Sequence, residues 1–237
     1  MNKKLIVFDM DGVLVDVTES YRETITRTVK HFAGIDLTAA QIQEYKNQGG
    51  WNDDWKLSHH ICTTAGVDVP FETVKAYFQS IFLGNSDGPG NGPDGPGKGP
   101  EGPGGLILRE QWVARPGVLE KLGEQFVFAI FTGRPKADAV ITLNRFAARI
   151  AFDPVIGMED VKHHKPNPEG LLKLPNAAFY VGDTVDDARC ARAAKVPFIG
   201  IAAPTNPLYL DIVFLFQEEG AYAIVDDINY LEEVFAA

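Results

Sequence analysis

Short, uninterrupted apolar runs alternate with helical patterns over most of the chain. The first run, Leu5–Phe8, contains no polar residue, which is typical of a strand buried on both faces of a sheet. Similar runs follow at Phe126–Phe131, Pro154–Ile156, Ala178–Val181, Phe198–Ala202 and, more weakly, Ala223–Val225. Helical patterns separate these runs, at Ala137–Ile150, Pro168–Leu174, Val185–Ala194 and Pro207–Glu219. This alternation predicts an α/β fold, a parallel sheet with helices on both faces.

One long interval breaks the alternation. Between Val17 and Arg115 there is no buried-strand pattern, and apolar residues recur at helical spacing instead. The segments that predict helices are Thr18–Phe32, Thr38–Asn47, Asp53–Ala65 and Phe71–Leu83. We therefore expect an α/β core formed by 1–16 and 106–237, with an all-helical module inserted at 17–105.

The end of the inserted module is a tandem repeat rich in glycine and proline. A seven-residue unit starts at Asp87, recurs at Asp94 and begins again at Glu101. Glycine does not fall at every third position, so a collagen helix is not expected. This composition predicts a flexible or polyproline-like loop over 84–105.

Composition and charge narrow the classes of function. The 237 residues are 45% apolar and carry a formal net charge of −10, so a large core can form while nucleic acid is repelled. Cys62 and Cys190 are far apart in the sequence and fit free, buried thiols in a reducing compartment. No stretch reaches the roughly 20 apolar residues of a membrane span. We expect a cytoplasmic monomer or homodimer that binds neither nucleic acid nor membrane.

Two carboxylates follow the first strand. Asp9 and Asp11 lie at its C-terminal end, the edge at which parallel sheets bind ligands. Like charges this close are costly unless a cation or a proton offsets them. A pair of aspartates alone fits a turn equally well, but Gly12 and the apolar Val13–Val15 extend the signature.

Two later segments offer groups suited to phosphate. Thr132 and Gly133 end the second core strand, where a hydroxyl and adjacent backbone N–H groups suit a phosphate oxygen. Lys165 is followed by Pro166 and Pro168, which keep its segment out of a helix, and its charge suits a phosphoryl group. Taken singly, the first segment fits a helix-capping turn and the second a solvated lysine.

A further acidic group follows the fourth strand. Asp183 is placed to join Asp9 and Asp11 at the same sheet edge, and oxygen-only ligands favour Mg²⁺. Asp187 fits a role in orienting the metal ligands. Asp186 is interpreted as a favourable charge at the N-terminus of the following helix.

These motifs, in this order, resemble those of the haloacid dehalogenase superfamily of phosphatases. They are Asp9–Leu14, Thr132–Arg134, Lys165–Pro166 and Gly182–Asp183 with Asp187. The resemblance covers nearly the whole chain and implies a Rossmann-like catalytic core. The inserted helices resemble the α-helical cap of the phosphoglycolate phosphatase-like subfamily (subfamily IA), and the Gly/Pro repeat departs from that cap.

The resemblance also implies a mechanism. Asp9 would attack phosphorus and form an aspartyl-phosphate, while Asp11 would transfer protons to and from the leaving alcohol and the hydrolytic water. Mg²⁺ would be held by the Asp9 side chain, the Asp11 backbone carbonyl and Asp183. Thr132 and Lys165 would hold the phosphoryl group of a small phosphorylated metabolite. A phosphosugar mutase with the same aspartates, and a non-catalytic binding protein on this fold, remain alternatives.

The inserted module contains one unusual segment that could select the substrate. Trp51, Asn52 and Trp55 lie beside a pair of glycines and could line a pocket. Alternatively, Asn52 or Asp53 caps a helix and the tryptophans pack in the core of the module. Arg134, next to the predicted phosphate loop, is a further candidate for substrate binding.

Overall fold

The computed structural model describes residues 3–84 and 104–236 of the chain. Most of the Gly/Pro repeat, and with it the loop predicted over 84–105, lies outside the described residues. The chain divides into two compact units. One unit comprises 1–16, 46–52 and 112–237, and the other comprises 17–45 and 53–111. The short segment 46–52 therefore clusters with the first unit, although its neighbours in sequence belong to the second.

The first unit contains a six-stranded sheet, which confirms the predicted α/β class. The strands run in the order β5-β4-β1-β6-β7-β8, and each neighbouring pair is parallel. Their bounds are β1 Lys4–Phe8, β4 Phe126–Phe131, β5 Phe152–Ile156, β6 Ala177–Gly182, β7 Phe198–Ile201 and β8 Ala223–Val225. Two strands of two residues each, β2 Val15–Asp16 and β3 Gln111–Trp112, form outside this sheet.

Helices connect the strands of this unit, as the alternation of patterns predicts. They are α5 Val118–Gln125, α6 Lys136–Phe146, α7 Glu169–Leu172, α8 Val185–Ala194, α9 Tyr209–Glu218 and α10 Leu231–Ala236. The core between sheet and helices is built on large side chains that are almost fully buried, among them Val7, Phe131, Tyr180, Phe198 and Phe216. The apolar runs form strands because both faces of the central strands are covered.

The register of the central strands aligns their C-terminal ends. Phe8 pairs with Ile130 of β4 on one side and with Val181 of β6 on the other. The backbone N–H of Asp9 donates to the carbonyl of Val181 at 2.8 Å. The residues that follow β1, β4 and β6 are therefore neighbours in space.

The second unit is helical. A π-helical turn over Thr18–Arg22 leads into α1 Glu23–Ala33, and α3 Asp54–Thr64 and α4 Phe71–Phe82 pack against it. The helix α2 Ala39–Gln48 begins in this unit, and its last three residues cluster with the α/β unit. Fully buried side chains from several helices form its core, including Ile25, Val29, Leu57, Val74 and Phe78.

Candidate active site

The sheet gathers the predicted site residues at one edge. Asp9 follows β1, Thr132 follows β4 and Asp183 follows β6, and these three strands are adjacent. Lys165 lies in the loop between β5 and α7, and its ammonium is within 3.0 Å of Asp9. Residues far apart in sequence meet here because parallel strands end at a common edge.

Lys165 lies between two buried carboxylates. Its Nζ is 3.0 Å from Asp9 Oδ1 and 2.8 Å from Asp187 Oδ1, and its side chain is only 1% exposed. The side chains of Asp9 and Asp187 are 4% and 0% exposed. One ammonium thus faces two carboxylates away from solvent, where Coulomb interactions are strong.

This arrangement shifts the proton affinities of all three groups. The pKa of Asp9 is raised to about 7, mainly by burial, with the carboxylates of Asp187 and Asp11 adding to the rise and Lys165 opposing it. Burial also disfavours charge on Asp187, but contacts with Lys165 and hydroxyl groups outweigh it and lower its pKa. Lys165 is likewise desolvated, yet the two carboxylates raise its pKa. Of the two carboxylates that face Lys165, Asp187 is therefore held in its charged form, while Asp9 has the higher proton affinity.

Asp183 completes a cluster of three carboxylates. One oxygen each from Asp9, Asp183 and Asp187 lies within 4.8 Å of the others. Gly12 leaves room for this cluster, because a Cβ at that position would lie 1.9 Å from Asp183 Oδ2. The φ of Gly12 is also +70°, which an L side chain rarely adopts. An oxygen-only donor set with a net negative charge fits a hard divalent cation.

Asp187 is fixed by groups other than Lys165. Tyr180 donates its hydroxyl hydrogen bond to Asp187 Oδ1 at 2.7 Å, and the Thr184 hydroxyl donates to Oδ2 at 2.6 Å. The backbone N–H of Asp187 in turn donates to the Thr184 hydroxyl, which caps α8. Tyr180 is not among the predicted site residues, and its only signal in the sequence is a hydroxyl inside an otherwise apolar strand.

The loop after β4 presents the predicted phosphate-binding groups. Thr132 is 1% exposed, and its hydroxyl accepts the backbone N–H of Arg134 at 3.2 Å. Gly133 faces Asn52, since a Cβ at Gly133 would lie 2.9 Å from Asn52 Nδ2. A side chain at position 133 would therefore collide with the amide.

The guanidinium of Arg134 binds side chains of the α/β unit. Its side chain is fully buried, Nε donates to Asp11 Oδ1 at 2.6 Å, and Nη2 forms an ion pair with the same oxygen. Nη1 donates to the hydroxyl of Thr142 at 3.1 Å. The structure thus gives Arg134 an internal partner, Asp11, whereas the sequence suggests binding to substrate.

The three predicted pocket residues fall into different units: Trp51 and Asn52 belong to the α/β unit and Trp55 to the helical unit. Asn52 lies by Gly133, and the half-buried Trp51 precedes it in the same segment of the α/β unit. Trp55 is buried in the helical unit, with the ammonium of Lys75 4.3 Å from its ring centroid. Asp53 caps α3 by accepting the N–H groups of Trp55 and Lys56, each at 3.1 Å. The contacts of Trp55 therefore match the alternative that this tryptophan packs in the core of the helical module.

Comparisons with known proteins assign the chain to a family. The model of the family described as haloacid dehalogenase-like hydrolase matches residues 3–195. An imidazoleglycerol-phosphate dehydratase from Phytophthora nicotianae is 31% identical over 84% of this chain, and the chain spans only 43% of that protein. A phosphoglycolate phosphatase from Rhodobacter capsulatus is 27% identical over 82% of each chain.

Solved structures show the same fold. A candidate phosphoglycolate phosphatase from Lactobacillus plantarum superposes with a TM-score of 0.70 at 17% identity, covering 99% of this chain and 100% of that one. Among residues 3–84 and 104–236, no helix has the length and apolarity needed to cross a bilayer. The family match over most of the sequence agrees with the four motifs and the parallel sheet, and it means that this chain belongs to the haloacid dehalogenase-like hydrolases.

Proposed function

We propose that this chain is a phosphatase that hydrolyses a small phosphomonoester with Asp9 as nucleophile. One observation carries the proposal: a buried carboxylate at a strand end faces Lys165 and lies in a cluster with Asp183 and Asp187. Phosphoryl transfer demands positioning and charge neutralisation above all. A lysine and a cation-binding carboxylate cluster around one nucleophilic oxygen meet both demands.

The donor set supports Mg²⁺ as the cofactor. Asp9 and Asp183 would hold it through their carboxylates and Asp11 through its backbone carbonyl, while Asp187 orients Lys165. When bound, Mg²⁺ supplies positive charge that offsets the negative charge of the phosphoryl oxygens. Burial and two neighbouring carboxylates raise the pKa of Asp9 to about 7, and a cation held by the same oxygens would favour the charged form that attacks phosphorus.

The protein residues perform the transfer in two steps. In the first, an Asp9 oxygen forms a bond to phosphorus, the bond from phosphorus to the leaving oxygen breaks, and Asp11 gives that oxygen a proton. In the second, Asp11 takes a proton from water, which attacks phosphorus and breaks the bond to Asp9. Lys165 and the Thr132 loop hold the phosphoryl oxygens throughout. Inorganic phosphate leaves, and both carboxylates return to their starting forms.

The names of the relatives suggest which substrates to test first. Phosphoglycolate and imidazoleglycerol phosphate, from the names of the two relatives, are both small phosphomonoesters. We propose this size class as the substrate of the chain. Both compounds belong in a panel with hexose phosphates and p-nitrophenyl phosphate.

Phosphate release with and without Mg²⁺ tests the function. We expect release from at least one member of the panel, dependence on Mg²⁺, and loss of release in Asp9→Asn. Asp211→Asn, an exposed aspartate on α9, is the matched control and should retain activity. Activity that survives Asp9→Asn or chelation contradicts the mechanism. Conversion of a hexose phosphate into a positional isomer without free phosphate would instead identify a mutase.

A further inference from the structure

A short segment of the chain is fastened to the α/β unit by its backbone. This connector segment, residues 46–52, joins the end of α2 to the residues before α3. Gly49 and Gly50 have φ values of +82° and +81°, a conformation that L side chains rarely adopt. The path of the connector segment thus depends on two consecutive glycines.

Asp186 holds this backbone directly. The N–H of Gly50 donates to both carboxylate oxygens of Asp186, at 3.0 and 2.8 Å, although the two residues are 136 positions apart. Asp186 is only 2% exposed, and burial raises its pKa, while the Gly50 N–H, Lys46 and Arg189 favour its charged form. A buried carboxylate is costly, so its placement against a loop N–H calls for a reason beyond local structure.

A second residue on α8 holds the neighbouring peptide. Arg189 Nη1 lies 3.4 Å from the carbonyl of Gln48 and donates to it. A Cβ at Gly49 would lie 2.3 Å from Arg189 Nη1 and 2.9 Å from Asp186 Oδ1. The connector segment therefore lies directly against the first two turns of α8, and a side chain at position 49 would have to displace the Arg189 guanidinium.

The connector segment places the side chain of Asn52 next to the Thr132–Gly133 loop. Asn52 is two residues beyond Gly50, and its amide nitrogen lies 2.9 Å from the position that a Cβ of Gly133 would take. Thr132 and Gly133 form the proposed phosphate loop. An amide can donate to or accept from a polar group next to a phosphate bound there.

We infer that Asp186 is a positioning residue: it fastens the connector segment so that Asn52 stands beside the Thr132–Gly133 loop and contacts the group esterified to the phosphate. The inference rests on the proposed function for its effect on catalysis. A charge that merely complements the dipole of α8 needs no contact with Gly50. Instead, both carboxylate oxygens of Asp186 accept the N–H of Gly50.

Amide hydrogen exchange tests the contact between Asp186 and Gly50, and it does not require enzymatic activity. In Asp186→Ala, the amide of Gly50 should exchange roughly tenfold faster or more, because a hydrogen bond to a charged acceptor is lost. Asp186→Asn keeps one acceptor oxygen and should give an intermediate rate. Unchanged exchange at Gly50 in both variants overturns the inference, and Asp186→Asn alone decides it if the alanine variant does not fold.

Two arginines of α8 provide a matched pair of variants. Arg189 and Arg192 both form ion pairs with Glu219, at 2.9 and 2.7 Å, but only Arg189 has a hydrogen bond to the connector segment. Arg189→Ala should speed exchange in residues 46–52, and Arg192→Ala should not. If both variants speed exchange in residues 46–52 equally, the cause is the loss of an ion pair with Glu219, and the inference is contradicted.

Kinetics on the best substrate of the panel then test the route through Asn52. Asp186→Ala should lower kcat/KM roughly 10- to 100-fold, the scale on which small misplacements act. In the Asn52→Ala variant, the additional change Asp186→Ala should lower kcat/KM little further, because the effects of coupled residues do not add. Fully additive losses contradict action through Asn52. Absence of phosphatase activity in the wild-type protein refutes the proposed function instead, and the exchange result stands apart from it.

Discussion

The buried guanidinium of Arg134 holds the carboxylate of Asp11, with Nε 2.6 Å from Oδ1. The arginine is fixed on its other side by the Thr142 hydroxyl, 3.1 Å from Nη1. Asp11 is the proposed acid and base, and its side chain is 29% exposed. The fork of the arginine therefore sets the direction in which a partly exposed carboxylate points.

Replacing this arginine should slow turnover more than it weakens substrate binding. Arg134→Lys keeps the charge but loses the planar fork, so we expect kcat to fall roughly tenfold, and Arg134→Gln roughly 100-fold, because Asp11 loses its orientation. Steady-state kinetics on the best substrate measure both. Arg145→Lys, an arginine of α6 whose guanidinium lies 4.5 Å from the ring centroid of Phe146, is the control. A rise in KM at constant kcat would support the predicted role in substrate binding instead.

Loss of the acid itself should depend on the leaving group. Asp11→Asn cannot protonate the departing oxygen, so alkyl phosphates should react about 10²- to 10⁴-fold more slowly. p-Nitrophenolate leaves without a proton, so the first step with p-nitrophenyl phosphate should be affected less. Single-turnover rates on the two substrate types separate that step from hydrolysis of the intermediate. Equal losses on both would argue against Asp11 as the acid.

Removal of Lys165 should destabilise the fold as well as abolish activity. Lys165→Met leaves the buried carboxylates of Asp9 and Asp187 without the ammonium between them, and breaking a buried pair costs about 3–5 kcal/mol. Urea unfolding at pH 7 gives the change in the free energy of unfolding. Lys173→Met removes a 45% exposed lysine and should change it by less than about 1 kcal/mol. Similar changes in the two variants would contradict this account of the site.

Mg²⁺ should stabilise the folded protein. An ion that binds only the folded state at 100 times its Kd adds about 2.7 kcal/mol to the free energy of unfolding. Thermal unfolding should therefore shift upward with Mg²⁺ and return with a chelator. Asp183→Asn should remove the shift, whereas Asp211→Asn should keep it. A full shift in Asp183→Asn would place the ion elsewhere.

Glu169 should contribute stability that acid removes. Its carboxylate accepts the N–H groups of Lys162 and His163, and these bonds lower its pKa from the ordinary 4.5 to about 2. A depressed pKa gives stability that is present above pH 4.5 and is lost as the pH falls towards 2. The Tm difference between wild type and Glu169→Gln should thus be largest near neutrality and shrink below pH 4.5. A difference that grows in acid would reverse the sign and refute the prediction.

Local patterns in the sequence determined the regular elements. The run Phe126–Phe131 forms β4 with the predicted bounds because an apolar run suits a strand covered on both faces. Helix α8 begins and ends at the predicted Val185 and Ala194, since Thr184 supplies the cap from the adjacent position. Apolar spacing predicts one helix over Thr18–Phe32, whereas the structure has a π-helical turn before α1, a difference that helical spacing does not reveal.

The same patterns placed Asp9, Thr132 and Asp183 at one edge, because the ends of parallel strands coincide. Only the tertiary structure decided which partner each polar group takes. Arg134 meets Asp11 across 123 positions, and Gly50 meets Asp186 across 136. Such contacts depend on where loops and helices pack, and no local spacing encodes them. The sequence by itself therefore determined the elements and the order of the chemical groups, while tertiary packing decided their pairing.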